Sequence, residues 1–321
     1  MKCKWIKKLT AGIIFLAAVG SLSGCQKAAT SENLFRDIEV NMTSVESAEE
    51  NQIVKLQMGD GDSAISQESN LDIEMTRNPA SVHRKGQQKT NMAGTKETQE
   101  MESYQVEEDG KTVIYSGTDE AWEKNAVGEK ETSSQQTVLF DGLQNLSGAF
   151  SVSQDLATVN KEECFELTGT ISGTQFQETF ADTLKALLGE DSSDLSGWNL
   201  QASEDEENNE ELQQKLNNVK VDCVIDIYRN NILPAKITFD LTDYLKAAGE
   251  ENAQVTSYTL EVTFVSYNDT KKIKVPKAVK ESAKDNGEDE AENSTDEMLE
   301  YMEDVDHVVY FQRPDTNFES H

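Results

Sequence analysis

The side chains that could do covalent or acid–base chemistry are few in kind and poorly placed for catalysis. His83, His307 and His321 are the three imidazoles, one in a polar strand-like run and two in the C-terminal tail. All three are isolated and read as solvated surface residues. There is no GxSxG elbow, no HExxH helix and no phosphate-cradling glycine loop. Paired carboxylates for glycoside chemistry need a set separation, and among 60 Asp and Glu such pairs arise by chance. Asp60-Gly61-Asp62 lacks the glycine and distal Glu positions of a calcium loop and reads as a hairpin turn. No enzyme activity, cofactor or metal is therefore expected.

The thiols are more informative. Of four cysteines, Cys3 and Cys25 lie near the N-terminus, leaving Cys164 and Cys223 in the body of the chain. Lys2, Lys4, Lys7 and Lys8 precede an apolar run from Leu9 to Val19, too short to span a bilayer comfortably and of signal-peptide length. Leu22-Ser23-Gly24-Cys25 follows. Small residues just before a cysteine make this stretch similar to the leaders of bacterial lipoproteins, in which that thiol receives a diacylglyceryl group before cleavage. The resemblance implies that Cys25 is the mature, lipidated N-terminus and that the protein is extracytoplasmic and held on the cell membrane by its acyl chains. Two chains give stable attachment where one gives only marginal binding. Cys164 alternates with Glu166, Thr168 and Thr170, whereas Cys223 alternates with Val221, Ile225 and Ile227. Directly paired strand residues share a face, so the pattern favours two quiet, buried thiols over a disulfide, although the compartment would permit one.

Charge narrows the partners. The net charge is −31, and removal of the four leader lysines takes it to −35. Nucleic acid, which is bound through Lys and Arg, is excluded, as is electrostatic docking on anionic headgroups. Solubility and self-repulsion account for the acidity. With 36% hydrophobic and 7% aromatic residues, a core forms most easily from long strands with one solvated face.

The periodicity supplies those strands. Gln26 to Ser31 is a short tether, and Glu32 to Ser47 reads as a helix with Leu34, Phe35, Ile38 and Met42 on one stripe. Alternation then appears at Val54 to Met58 and at Leu71 to Met75. Two weakly apolar runs, Ser81 to Lys89 and Thr98 to Glu107, suit edge positions. Lys111 to Ser116 follows, with Trp122 just beyond. Leu139, Leu143, Leu146 and Phe150 recur at helical spacing. Glu163 to Ser172 is a strand, and Thr174 with Gln177 predicts a capping box opening a helix through Phe176 and Phe180 to a stop at Gly189. Asp191 to Glu211 reads as a polar loop. The clearest meander comes next: Val219 to Ile227, a turn at Asn230-Asn231, and Leu233 to Phe239. A helical piece at Leu241 to Leu245 leads to the strand Tyr258 to Phe264, and Asn268-Asp269 predicts a hairpin into Ile273 and Val275.

Taken together, the lipobox, the first helix, the long alternating strands, the run VDCVIDIYRNNILPAKITFDL (Val221 to Leu241), YTLEVTFVSYND and IKVPKAV (Ile273 to Val279) resemble an uncharacterised group of Gram-positive lipoproteins related to the LolA and LppX type of open β half-barrel. The resemblance implies a mainly β (α+β) fold, a curved antiparallel sheet covered by a few amphipathic helices, enclosing an apolar cavity. The expected organisation is a leader over 1–24, a lipidated tether over 25–31, the half-barrel over 32–280 and an acidic, largely disordered tail over 281–321. Leu71, Ile73, Phe165, Leu167, Val221, Ile225, Ile237, Phe239, Leu260, Val262 and Phe264 are the candidate cavity lining, and the same residues equally make a filled core. Two functions follow as expectations: a surface lipoprotein that carries a lipid or other apolar small molecule without catalysis, or an envelope scaffold acting through protein contacts with a partner the sequence does not identify.

Overall fold

Alternation over the C-terminal half places Val221, Cys223, Ile225 and Ile227 on one side of a strand and polar residues on the other, and the backbone obeys it. The structure is a computed structural model that describes residues 29–59, 64–92, 94–118, 121–127, 142–188, 206–248 and 255–285. The leader, Cys25 and most of the acidic tail lie outside the described residues, as do Gly189, Trp198 and the turn at Asp60 to Asp62.

Helix α1 (Ser31–Met42) opens the fold. It is followed by β1 (Ser47–Met58), β2 (Ile65–Arg77), β3 (Ala80–Met92), β4 (Thr95–Glu108), β5 (Lys111–Gly117) and β6 (Trp122–Val127). A 3-10 helix (Leu143–Ala149) leads into β7 (Phe150–Val152), β8 (Ala157–Val159) and β9 (Glu162–Ser172). Then come α2 (Gly173–Leu188), α3 (Glu206–Asn217), β10 (Lys220–Tyr228), β11 (Pro234–Asp240), α4 (Thr242–Ala248), β12 (Val255–Tyr267), α5 (Lys277–Ser282) and β13 (Lys284–Asp285). All thirteen strands join one open sheet in the order β13-β6-β5-β4-β3-β2-β1-β12-β11-β10-β9-β7, with β8 pairing β9 beside that path. Among the described strands only the short β13–β6 contact is parallel. The expected mainly β fold is thus the one that forms: a curved, open antiparallel sheet with few helices.

The register defines an inner face. Val54 lies opposite Leu260, Leu260 opposite Phe239, Phe239 opposite Cys223, and Cys223 opposite Gly169 and thereby beside Phe150. On this face Leu34, Phe35, Ile38 and Met42 of α1, the 3-10 residues Leu143 and Leu146, Phe176 and Phe180 of α2, Leu216 of α3 and Tyr244 of α4 complete the main core. Cys164, one position out of phase, falls on the opposite face, and both thiols are buried and free. A second, smaller core covers the outer face at the far end of the sheet. There Tyr104, Val106, Val113, Tyr115 and Trp122 are sealed by Ile273 and Val279.

Several local expectations change. Helix α1 stops at Met42, because Arg77 of β2 donates to the carbonyls of Met42 and Thr43 at 3.3 and 3.0 Å. A cation there complements the last carbonyls, beside the Thr43 and Ser44 hydroxyls that donate to Val40 and Asn41. Of the two strands expected at an edge, β3 (13 residues) is paired on both sides, whereas the 14-residue β4 is interior only over Glu102–Glu108; among the described residues its Thr95–Met101 half pairs β3 alone and is an edge, as expected. The backbone hydrogen bonds of these ladders need no apolar side chains. Leu143 and Leu146 sit in a short 3-10 turn rather than a longer helix, and Phe150 is already in β7; Leu139 lies outside the described residues. The capping box of α2 is Ser172 with Gln175, joined by reciprocal 3.0 and 3.1 Å hydrogen bonds. The Thr174 hydroxyl instead donates to Asn217. Residues 206–211 are helical, not loop. The predicted hairpin after Asn268 does not form. Asn268 takes a left-handed φ of 63°, and its side-chain oxygen accepts from the backbone of Glu46 and Ser47. The chain then runs as a strap to the far end of the sheet, where β13 pairs β6, so the fold continues past residue 280.

Candidate functional site

The inner face changes character along β1. Ala48, Glu50, Gln52, Val54, Leu56 and Met58 share one side of the strand by alternation. Its C-terminal end feeds the main core through Val54, Leu56 and Met58, all only half-buried. Its middle holds two polar residues at 1% exposure each, Glu50 and Gln52. Glu50 is flanked by Phe264 of β12 and Ile73 of β2, and Gln52 by Val262 and Leu71. Arg84 of β3 lies across Ile73 on the same face. Tyr267, stacked on Phe264 at 5.5 Å, closes the group from the β12 side, and its hydroxyl donates to the Pro234 carbonyl at 2.8 Å.

The electrostatics of this patch follow from its dryness. Burial raises Glu50 to about 7, against a smaller opposing pull from the Arg84 charge. Burial likewise lowers Arg84, with Glu50 pulling the other way, and holds Tyr267 well above the usual phenol range, helped by the negative Glu50. Neither Glu50 oxygen has a hydrogen-bond partner among the described residues. A folded carboxyl at about 7 and an unfolded one near 4.3 differ in proton content between those values. There the folded chain holds a proton that the unfolded chain has released, so stability is full below about pH 4.3 and is lost as pH rises through 7. The loss amounts to roughly 4 kcal/mol. Glu50→Gln, neutral at every pH, is expected to melt later in urea than the parent at pH 8 and alike at pH 4.5. A pH-independent difference would remove this account. Asp226, buried on the other face and raised to about 6 by burial, gives wild type and variant the same background slope.

The predicted lining residues divide between two clusters. Leu167, Val221, Ile225, Ile237, Phe239, Leu260, Val262 and Phe264 meet in the main core, with Phe165 half-buried at its rim. Ile73 and half-buried Leu71 belong to a separate cluster with Ala48, Met75 and Val82. Glu50 and Gln52 lie between them, with Arg84 on the far side of Ile73. Sequence reasoning missed it because Glu49-Glu50-Asn51-Gln52 reads as solvated. The available signal was parity, since Glu50 and Gln52 fall in phase with Val54, Leu56 and Met58.

The outer face carries a second polar group, and it corrects the reading of His83 as an isolated surface residue. The register sets Glu74 opposite His83 and His83 opposite Tyr104. The half-buried imidazole stacks on Tyr104 at 4.3 Å with ring nitrogens 3.3 Å from Glu74 and 2.9 Å from Glu102. Burial alone would raise Glu102, but hydrogen bonds from Tyr104, His83 and Lys85 bring it down to about 2. Every member of this network has a partner, so it reads as a fastening between β2, β3 and β4. Among the described residues no group of three or more His, Cys, Asp or Glu is arranged to hold a metal, and no helix is long and apolar enough to cross a membrane.

Comparison with known proteins gives a family and distant folds. Residues 30–284 match the profile of a family of unknown function, DUF6612. No curated protein sequence matches. Among solved structures, LprF from Mycobacterium bovis is 12% identical, with 77% of this chain and 96% of that one covered and a TM-score of 0.41. The lipoprotein LppX of Mycobacterium tuberculosis is 14% identical, with 76% and 98% covered and a TM-score of 0.40. A LolA superfamily protein from Nitrosomonas europaea is 8% identical, with 78% and 97% covered and a TM-score of 0.22.

Proposed function

The chain belongs to the DUF6612 family, whose function is unknown, and from that premise we propose that it is a non-enzymatic surface lipoprotein whose inner sheet face takes a lipid or other apolar ligand. The observation that carries this reading is the unfinished margin of the main core. Val54, Leu56 and Met58 on β1 and Leu71 on β2 face the covered side of the sheet yet stay half-buried. Among the described residues the helices concentrate over β7 and β9 to β12. Apolar side chains at the edge of helix cover gain roughly 25 cal/mol for each Å² of surface that a ligand takes from water. Cys25, with its leader, supplies the placement: acyl chains there keep this face within a short tether of a lipid surface.

Two preparations test the two halves of the proposal. Cells grown with labelled palmitate are expected to label the full chain and not its Cys25→Ser variant; equal labelling would remove the anchor. A chain beginning at residue 26, purified without detergent, is expected to release a near-stoichiometric apolar molecule into organic solvent, identified by mass spectrometry. A protein that is empty and takes up no apolar fluorescent probe would show the face to be a filled core, and the scaffold role would take its place.

A further inference from the structure

Glu50 and Gln52 project from adjacent inward positions of β1, and both are 1% exposed. Both oxygens of the Glu50 carboxylate and the Gln52 Oε1 lack a hydrogen-bond partner among the described residues. Buried acceptors are normally paired, and an unpaired one costs on the order of 1–3 kcal/mol, more when it is charged. Three such atoms within two positions of one strand mark a place that lacks donors. Their cross-strand neighbours Phe264, Ile73, Val262 and Leu71 are hydrocarbon, and Arg84, whose charge acts on Glu50, makes no hydrogen bond to either carboxylate oxygen. Tyr267, the nearest hydroxyl-bearing ring, directs its proton to Pro234.

The same side of β1 then turns apolar. From Gln52 to Met58 the strand advances about 20 Å, presenting Val54, Leu56 and Met58, each half-buried. Acceptors at one end and a hydrocarbon strip of acyl-chain length beyond them have the polarity pattern of an amphiphile. The geometry points to Glu50 and Gln52 as the head-group site for a long-chain amphiphile whose head carries hydrogen-bond donors, ammonium or hydroxyl, with the chain lying along Val54, Leu56 and Met58. This rests on the proposed apolar-ligand function and names the class of ligand. An anionic head is disfavoured because it brings acceptors to acceptors, and the cation across Ile73, Arg84, already acts on Glu50.

The test uses the chain from Cys25 onward with Cys25→Ser, at pH 8 and below micelle formation. It measures calorimetric binding of three probes that share a twelve-carbon chain: dodecylammonium, 1-dodecanol and dodecanoate. Dodecylammonium and dodecanol are expected to bind at one saturable site, at least about tenfold more tightly than dodecanoate. Glu50→Leu is expected to weaken both donor-headed probes by about tenfold or more, and Glu50→Gln, which keeps one acceptor, by less. Glu107→Gln, at an exposed position of β4, removes one surface charge and is expected to leave binding unchanged, separating the site from general attraction to an acidic protein. Unchanged binding in a Glu50→Leu protein with wild-type circular dichroism would overturn the head-group site while leaving the apolar-ligand reading standing. If Glu50→Leu does not fold, undiminished dodecanol binding in Glu50→Gln together with equal binding of dodecanoate overturns it. Absence of binding by all three probes to the parent chain would overturn both.

Discussion

Gly86→Ala is expected to destabilise the protein by more than about 3 kcal/mol, and Gly86→Val by at least as much. Gly86 lies in the middle of β3, opposite Leu71 on one side and Met101 on the other. A Cβ on it would stand 2.0 Å from the Asn70 carbonyl oxygen and 2.9 Å from both the Asn70 carbonyl carbon and the Leu71 Cα. All three are backbone atoms in a paired strand, so none can swing aside as a side chain would. Relief requires β2 and β3 to part, which breaks ladder hydrogen bonds and disturbs the Ile73 and Val82 cluster beside them. A glycine inside a strand commonly marks such a close backbone approach. Gly148→Ala supplies the comparison: its Cβ would meet nothing within 4 Å, and a shift below about 0.5 kcal/mol is expected there. Urea unfolding followed by circular dichroism decides the matter, and a Gly86→Ala protein as stable as its parent would show that the two strands are not so close.

Phe176→Ala is the second large effect, expected to cost about 3–5 kcal/mol in the same assay. Phe176 is fully buried where α2 meets the inner face. Its ring stands edge-on to Phe239 at 5.2 Å and to Tyr244 at 5.0 Å, and tilts against Phe180 at 5.6 Å. Truncation therefore removes hydrocarbon and also opens a hole walled by three rings on three different elements, which cannot all collapse into it. A double-mutant cycle with Phe239→Leu is expected to show roughly 0.5–1.5 kcal/mol of coupling beyond the separate losses. Val40→Ala, on the exposed side of α1, is expected to change little. Equal costs for Phe176→Ala and Val40→Ala would mean that α2 does not pack where it is seen.

Much of the inner face was legible in the sequence because burial on one side of a strand forces strict alternation. Val221 to Ile227, Ile237 with Phe239, and Tyr258 to Phe264 announced both their strands and their facing. The first helix was legible too, apart from its end, which depends on Arg77 arriving from β2. What escaped prediction depends on partners distant in the chain. Strands β3 and β4 read as edges because interior strands are usually apolar; β3 is nevertheless paired on both sides with Gln87, Gln88 and Thr90 half-buried, while among the described residues Thr95–Met101 of β4 do form an edge. The hairpin after Asn268 fails for a reason that lies some 200 residues earlier. Both edges of β12 are already taken, by β11 and by β1, so no edge remains for a returning strand. Glu50 has parity with Val54, Leu56 and Met58 to give its facing, but the register with Phe264 and Ile73 is what makes its surroundings dry.

The placement of β12 between β11 and β1 also sets an order of events in time. Ile53 finds its partner in Glu261, and contacts so far apart in the chain close slowly, since a large loop must be drawn in before any contact rewards it. The meander β2 to β6 joins neighbours through short turns and is able to zip as soon as it is made, whereas β1 keeps one bare edge until nearly the last strand has been synthesised. A naked edge is a template for pairing with the wrong chain. The central seam of the sheet is therefore the last to close, and the interval before it closes is when the protein is most exposed to aggregation and proteolysis.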